Sequence, residues 1–470
     1  MDASVCLRCR QLERRLAERE ASNQRLEGEV RELRRLLEES QRSAKRQAAP
    51  FSKGEPKSAP KKPGRKPGKK YGKKGHRPPP APQQIDETYE AALPDPCPHC
   101  GGHVAETRVA PQYQVEIPRK PLYRQFNVHI GHCQECGQRL QGRHPLQTSD
   151  ALGAAASQLG PDAQAGIALF NKRLGASHGK VVQALGDFFG IHLTRGGSAH
   201  AMLRAARRCE PVYQEIRLVI GRAQRLAVDE TGWRIGGNLA WLHVWVARLA
   251  TCYLIDPWRD ADQLEALIGL DYDGILSHDG WSSYDRFHKA MHQQCLAHAL
   301  RRARDLLQTA TRGAVCFPRR LIALFQEALA VRDRFVAGKL SAARMEEIRW
   351  ELTSRLGDLV GTVKQNADNQ RFADHLEHYL LDWFTFLEVP GLDATNYRAE
   401  QATRPAVVNR KVWGGNRTPR GARAQSVLMS VLETCRQHGR SALDYVSQVL
   451  RGVVTSVIKP ARLAVAGSPR

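Results

Sequence analysis

Residues 224–279, QRLAVDETGWRIGGNLAWLHVWVARLATCYLIDPWRDADQLEALIGLDYDGILSHD, decide the fold. Three apolar runs follow one another, RLAVDE, LAWLHVWVARL and TCYLIDP. The helix-patterned ADQLEALIGL comes next, and then a fourth apolar run, GILSHD. Short β-branched and aromatic runs bounded by turn residues read as strands, and a strand–helix–strand order reads as a parallel crossover. The pattern predicts three adjacent strands, a helix and a parallel strand in one α/β layer. Asp229 follows the apolar run LAV and precedes the turn-like Thr231-Gly232 pair. Asp279 ends GILSH and is followed by Gly280.

Working outward, helices are expected over 282–291 and 296–309, followed by a long helical stretch over 318–389 with few strand signals. This pushes a third acid, Glu400, far from Asp279, as an all-helical insertion does. Glu400 lies in the helix-patterned segment 396–403, which Pro405 is expected to close. Taken singly, each acid reads equally well as a cap or a salt-bridge partner. Together, two aspartates at strand ends and a glutamate on a later helix form a cage for two Mg²⁺ (or Mn²⁺) ions, which drive in-line attack on phosphodiesters. The residues themselves reach two-metal phosphodiester chemistry and no further. Strand alternation turns Glu230 away from that site, and Asp285 belongs to the following helix.

The chain has 470 residues and a formal net charge of +23. Between Arg42 and Arg77 stand 14 Lys/Arg against the single acid Glu55. Such a block repels itself and binds a polyanion; with no amphipathic helix or lipidation signal beside it, nucleic acid is the partner it implies. Within it, Gly64-Arg65-Lys66-Pro67 loosely matches an AT-hook, whose arginine enters a narrow minor groove. Non-specific phosphate contact by Arg65 and Lys66 is the simpler reading. A second basic run holds Arg398, Arg404, Arg410, Lys411, Arg417, Arg420 and Arg423, with Glu400 its one acid. Cations beside a metal site neutralise incoming DNA, and Gly414-Gly415 and Pro419 suggest a loop over it. No apolar leader and no run long enough to span a bilayer occur, which points to a cytoplasmic, nucleoid-associated protein with no membrane partner.

Leu12, Leu16, Arg19, Asn23, Leu26, Val30, Leu33 and Leu37 fall on alternating steps of four and three. This is a heptad seam with Asn23 at an a position, which favours a two-stranded coil and a homodimer or higher assembly. Eleven cysteines in an intracellular chain argue for metal binding rather than disulfides. Cys97-Pro-His-Cys100-Gly and Cys133-Gln-Glu-Cys136-Gly each aim two thiolates at one metal, and two such knuckles complete a structural Zn²⁺ site in a zinc ribbon, with strands expected between them. Helices over 180–189 and 198–208 flank GIHLTRGG. They read equally as a helix-turn-helix presenting Arg204, Arg207 and Arg208, or as an ordinary helical pair. Cys295-Leu-Ala-His298 is a doubtful metal pair that His375 and His378 would have to complete.

The blocks DETGWR, HDGWSSY, QCLAHALRR and TNYRAEQATRPAVVNRKVWGGNRTPRG, in this order after the zipper, basic linker and CPHCGG/CQECG knuckles, resemble the IS-sixty-six insertion-sequence family of DDE transposases. Glu400, Arg404, Pro405, Arg410, Lys411 and Gly414 match that family's last block. Two positions depart from it: Tyr397 stands where an Asn is common, and Thr403 where a Leu is common. The resemblance implies an RNase H-like core in which Asp229, Asp279 and Glu400 bind two Mg²⁺ ions, cut the ends of a mobile element and join them to target DNA. It also implies helper proteins from the same element. The expected architecture is multidomain α+β: a coiled-coil helix over 1–45, a basic linker over 46–85, a zinc ribbon over 86–145 and a helical segment over 146–215. An RNase H-like domain over 216–435 follows, with a helical insertion at about 312–390, and then a helix and tail over 436–470. A non-catalytic DNA-binding regulator would explain residues 1–145 but leave the carboxylates without a purpose; a general metal-dependent nuclease is the third reading.

Overall fold

The computed structural model describes Ser22, Arg25, Leu26, Glu29, Leu33 and residues 79–115, 120–153, 158–309, 311–453 and 455–458. The rest of the heptad segment, and the basic stretch with Arg65 and Lys66, lie outside the described residues. The chain divides into two compact units, Met1–Tyr113 and Gln114–Arg470. In the first, the Cys97 knuckle closes through Gly101 N–H to Cys97 C=O and Cys97 N–H to Gly102 C=O, both 2.8 Å, with Gly101 at φ +78°. In the second, the Cys133 knuckle repeats that turn, with Gly137 at φ +70°. It joins β1 (Ile130–His132) to β2 (Arg139–Gln141), an antiparallel pair. Of the segment expected to form strands between the knuckles, Ile130 begins β1, and the described residues 120–129 carry no strand. Those side chains are largely exposed, and a strand without a partner or a buried face has nothing to stabilise it.

Among the described residues, the helices leading directly into the main sheet are α1 (Pro161–Ala168), α2 (His178–Phe189), α3 (Arg195–Arg208) and α4 (Glu210–Gly221). α2 ends at Gly190 in the left-handed region, and α3 begins where the Thr194 side chain caps Gly197 N–H at 3.0 Å. α3 buries Ala201, Met202, Ala205 and Ala206, while Arg204, Arg207 and Arg208 are exposed. The five-stranded sheet has the order β5-β4-β3-β6-β7. Its strands are β3 (Arg225–Ile235), β4 (Asn238–Val246), β5 (Thr251–Asp256), β6 (Ile275–His278) and β7 (Met291–Gln294), and α5 (Asp262–Ile268) makes the crossover from β5 to β6. β4 pairs antiparallel with both β3 and β5, whereas β6 pairs parallel with β3 and β7 parallel with β6.

Two expectations change here. Thr231-Gly232 is no turn: these residues pair with Leu242 and Trp241, and β3 runs on to Ile235. The turn is Gly236-Gly237, at φ +60° and +87°, because a two-residue hairpin of this hand needs positive φ at both positions. The helix expected over 282–291 is only a 3-10 turn, Ser282–Arg286, followed by β7. β7 carries two fully buried glutamines, and Gln293 satisfies its amide on Phe386 N–H and Trp383 C=O. Its stability comes from partners some 90 residues away, which no local pattern reveals.

Alternate residues of the sheet serve different cores, which is why its strands read as unbroken apolar runs. Leu226, Val228, Trp245, Cys252 and Leu254 pack with α1–α4 and with the two last helices, α12 (Pro419–Gln437) and α13 (Ala442–Leu450). Leu242, Val244 and Tyr253 face the opposite way, onto Ala399, Ala402 and Ala406 of α11 (Tyr397–Trp413). Between β7 and α11 come α6 (Leu296–Thr309) and then, within the stretch expected to be a helical insertion, α7 (Cys316–Val336), α8 (Ala342–Gly361), α9 (Ala367–His378) and the short α10 (Thr385–Glu388), all sharing one core. Pro405 does not close α11 but lies inside it. Burial of Ala399, Ala402, Ala406 and Asn409 on both sides of the proline outweighs the hydrogen bond it removes.

The free edge of β5 is closed by hydroxyls. Thr251, Tyr253 and Ile255 donate their N–H groups to Thr434 Oγ1 (3.2 Å), Ser430 Oγ (2.8 Å) and Ser426 Oγ (3.1 Å). Four helical residues rise about 6 Å and two strand residues span roughly 6.7 Å, so a Ser/Thr at every fourth position of α12 keeps step with every second N–H of the strand. Ser430→Ala leaves the buried Tyr253 N–H without an acceptor, and we expect a loss of about 1–3 kcal/mol in urea unfolding. Unchanged stability would show that this edge does not depend on the ladder.

Candidate active site on the sheet

The pairing of β3 with β6 runs Arg225↔Ile275, Leu226↔Leu276 and Ala227↔Ser277. Continued by two residues, this register sets Asp229 level with Asp279, and strand alternation gives both the same face as Ala227 and Ser277. β6 has ended at His278, so Asp279 stands at the strand end while Asp229, still paired with Val244 of β4, is mid-strand. Asp229 faces α11, where Thr403 donates its hydroxyl to Asp229 Oδ2 at 2.9 Å. Burial pushes the Asp229 carboxyl up to about 7, against the Thr403 bond, with Glu230 and Asp279 adding repulsion. Asp279 Oδ1 accepts the Trp281 N–H at 3.3 Å. Gly280, at φ +89°, lets the His375 ring of α9 come close to this turn: a Cβ there would stand 3.1 Å from it.

Glu400 lies in the first turn of α11, one turn before Thr403 and so on the same helix face. Asn396 anchors that turn: its side chain donates to Val228 C=O of β3 at 2.7 Å, and its N–H to Cys295 Sγ at 3.1 Å. Glu400 Oε1 stands 3.4 Å from His298 Nδ1. Cys295, His298 and Glu400 have ligand atoms all within 4.8 Å of one another, a grouping the three carboxylates do not make. His375 and His378 do not join Cys295 and His298. His375 packs on Tyr379 and Trp383, and His378 Nε2 lies 3.6 Å from Asp285 Oδ2.

Glu230 points to the opposite face from Asp229, as alternation requires. Its carboxylate receives Arg259 at 2.8 Å and the Tyr284 hydroxyl at 3.1 Å, and burial holds it above the usual carboxylate range. The Arg259 guanidinium lies over both Trp241 and Trp281, 4.6 and 4.8 Å from their ring centres. Asp285, in the 3-10 turn rather than on a helix, accepts the Tyr379 hydroxyl at 3.1 Å.

The second basic run divides in two. Arg404, Lys411, Arg417 and Arg420 are exposed. Arg410 is half-buried and donates to Thr231 Oγ1 at 3.0 Å and to Gly232 C=O, Arg398 is paired with Asp393, and Arg423 is paired with Glu210 over the Tyr213 ring. The segment 414–418 is held against the β3–β4 hairpin by Asn416, which accepts from Gly236 N–H (2.8 Å) and Trp233 Nε1–H (2.8 Å) and donates to Arg234 C=O (2.9 Å). A side chain on Gly415 would run into that same carbonyl oxygen. In the knuckles, backbone N–H groups, His99 foremost for Cys97 and Cys136 foremost for Cys133, hold the two thiols below the usual range, which favours the thiolate a metal needs.

Three residues of this site carry no signal as acids or cations. Thr403 is visible only as a departure from the family's usual Leu, Asn396 as a flank of the glutamate, and His375 only as one of the pair expected to complete the Cys295–His298 site. No curated protein matches the chain. The family model described as Transposase IS66 family matches residues 157–424, from just before α1 into α12. The chain therefore belongs to the IS66 transposase family.

Proposed function

We propose that the protein is a DDE transposase that uses Asp229, Asp279 and Glu400 to cut the ends of its element and join them to target DNA. The observation that carries this is the β3–β6 register, which sets two carboxylates level on one face beneath the helix that bears the third. The strand order and directions, with a helical insertion between β7 and α11, support an RNase H-like core. The donors fit a hard dication: among the described residues no Lys or Arg is ion-paired to Asp229 or Asp279, and Glu400 Oε1 is buried without a hydrogen-bond partner. Bound by these three carboxylates, Mg²⁺ or Mn²⁺ would supply Lewis acidity toward the phosphodiester and lower the pKa of bound water.

The chain's own groups prepare that chemistry. Thr403 holds one Asp229 oxygen by its hydroxyl and leaves the other free. Arg259 and Tyr284 keep Glu230 engaged on the far face. Arg404, Lys411, Arg417 and Arg420 are free to neutralise phosphates, whereas Arg410 braces α11 against β3. In hydrolysis the water oxygen forms the new P–O bond as the 3′-oxygen departs and takes up a proton; that 3′-hydroxyl then attacks a target phosphodiester, whose own 3′-oxygen leaves as the P–O bond to the target strand breaks. We propose further that Cys97, Cys100, Cys133 and Cys136 bind structural Zn²⁺, that the heptad segment mediates self-association, that Arg65 and Lys66 contact DNA, and that the protein acts beside helper proteins in the cytoplasm.

Asp229→Asn and Glu400→Gln should each lower Mg²⁺-dependent cleavage and joining of element-end DNA by at least about 10²-fold while binding survives. Retained chemistry would refute the assignment, and a wild type that binds without cutting would favour a regulator. Arg417→Ala and Arg420→Ala should weaken DNA binding alike across sequences, each making the slope of log K against log salt shallower by about 0.9. A third outcome concerns pH. The folded Asp229 carboxyl titrates near 7, above its usual 3.8, so the folded state binds the extra proton between those values and stability falls as pH rises through them. In metal-free protein Asp229→Asn should therefore be the more stable form at pH 8, by on the order of 2 kcal/mol, and this advantage should vanish near pH 4. Thermal unfolding in chelator at both pH values decides it.

A further inference from the structure

We propose that Cys295, His298 and Glu400 form a binding site for a borderline-soft dication of the Zn²⁺ class, and that filling it withdraws Glu400 from the Mg²⁺ carboxylates. The second half rests on the catalytic reading above; the first does not.

The site is built from two elements. Cys295 immediately precedes α6, and His298 N–H bonds back to its carbonyl at 3.1 Å, so this turn brings thiol and imidazole together. Glu400 arrives from α11, whose first turn is bound to the same cysteine through Asn396 N–H on Cys295 Sγ. The ligand atoms all lie within 4.8 Å of one another. Around tetrahedral Zn²⁺ such atoms sit roughly 3.3–3.6 Å apart, so small side-chain rotations close the cage.

Packing alone explains this cluster poorly. His298 Nδ1 and Glu400 Oε1 are both buried and face each other at 3.4 Å, yet neither has a hydrogen-bond partner. Buried polar atoms are satisfied nearly everywhere in folded proteins, and two left unpaired side by side call for a shared third party. A cation between them serves both, and the Asn396 N–H on the sulfur is the outer-shell support a metal-bound thiolate receives. The donor set also chooses the ion. One thiolate, one imidazole and one carboxylate suit Zn²⁺ and its neighbours, whereas Mg²⁺ demands oxygen ligands. Three protein ligands leave a fourth position open. Because Glu400 belongs to both donor sets, the two metals compete for it.

The test uses the full chain, with Zn²⁺ as the probe and Mg²⁺ present throughout. Equilibrium dialysis compares wild type with Cys295→Ser and with His298→Gln; whatever the Cys97 and Cys133 knuckles hold is common to all three. We expect each variant to bind Zn²⁺ at this site at least about 10-fold more weakly and so to retain one equivalent fewer. Equal retention in all three overturns the site, whether or not the protein cleaves DNA. Zn²⁺ is then titrated into Mg²⁺-dependent cleavage, each protein normalised to its own zinc-free rate. Half-inhibition at ~10-fold higher Zn²⁺ in the variants supports competition for Glu400; equal sensitivity overturns it. A wild type that never cleaves counts against the catalytic reading, while the dialysis still decides the site.

Discussion

The parallel pairing of β3 with β6 is the constraint on which the rest of the site depends. Its register fixes which residue of each strand stands level with the other, and a slip by one would turn Asp279 to the opposite face from Asp229. That pairing needs β3 held from both sides. β4 holds it over nine residue pairs, and Tyr272 secures the entry to β6, its hydroxyl reaching Ala223 C=O at 3.0 Å. Both faces of the sheet are buried, so any slip would also move apolar side chains out of the two cores they serve. The two aspartates are thus positioned by the packing of apolar residues on both faces of the sheet.

α11 and α12 complete the arrangement from the other end of the chain. Asn416, between them, ties the segment 414–418 to the tip of the β3–β4 hairpin, so the two helices leave the sheet in fixed directions. α11 then crosses β3 with Thr403 on Asp229, and α12 runs along β5 with its hydroxyl ladder. A helix buried nearly all round would ordinarily be apolar all round. The serines and threonine of α12 are there because an edge strand inside the protein still needs acceptors for its N–H groups.

Much of this was legible in the sequence because it is written in local patterns. The apolar runs of β3, β4, β5 and β6, the helix α6 over 296–309 and the helical insertion stand where periodicity places them. What escaped was set by partners distant in sequence. β7 is polar and is stabilised by Gln293 reaching α10; Pro405 sits in a helix because alanines on either side are buried; the turn at Gly236-Gly237 lost to the more conspicuous Thr231-Gly232. The site shows the same division. Asp229 and Asp279 announce themselves as acids after apolar runs, although Asp229 proves to be mid-strand, but Thr403 and Asn396 are placed only by what they touch across the sheet.

Glu400 gives the clearest case of what topology adds. Three carboxylates drawn together without cations repel one another and lose solvation at once, and Asp229 already bears that cost with only Glu230 and Asp279 nearby. Adding Glu400 in the absence of metal would raise the cost further. α11 avoids this: the Asp229 contact falls one turn further along, on Thr403, while Glu400 turns toward Cys295 and His298. The helix thus holds the third carboxylate beside Cys295 and His298, on the face that also carries Thr403. Under the two-site proposal, the cation present, and no movement of the backbone, decides which partners it joins.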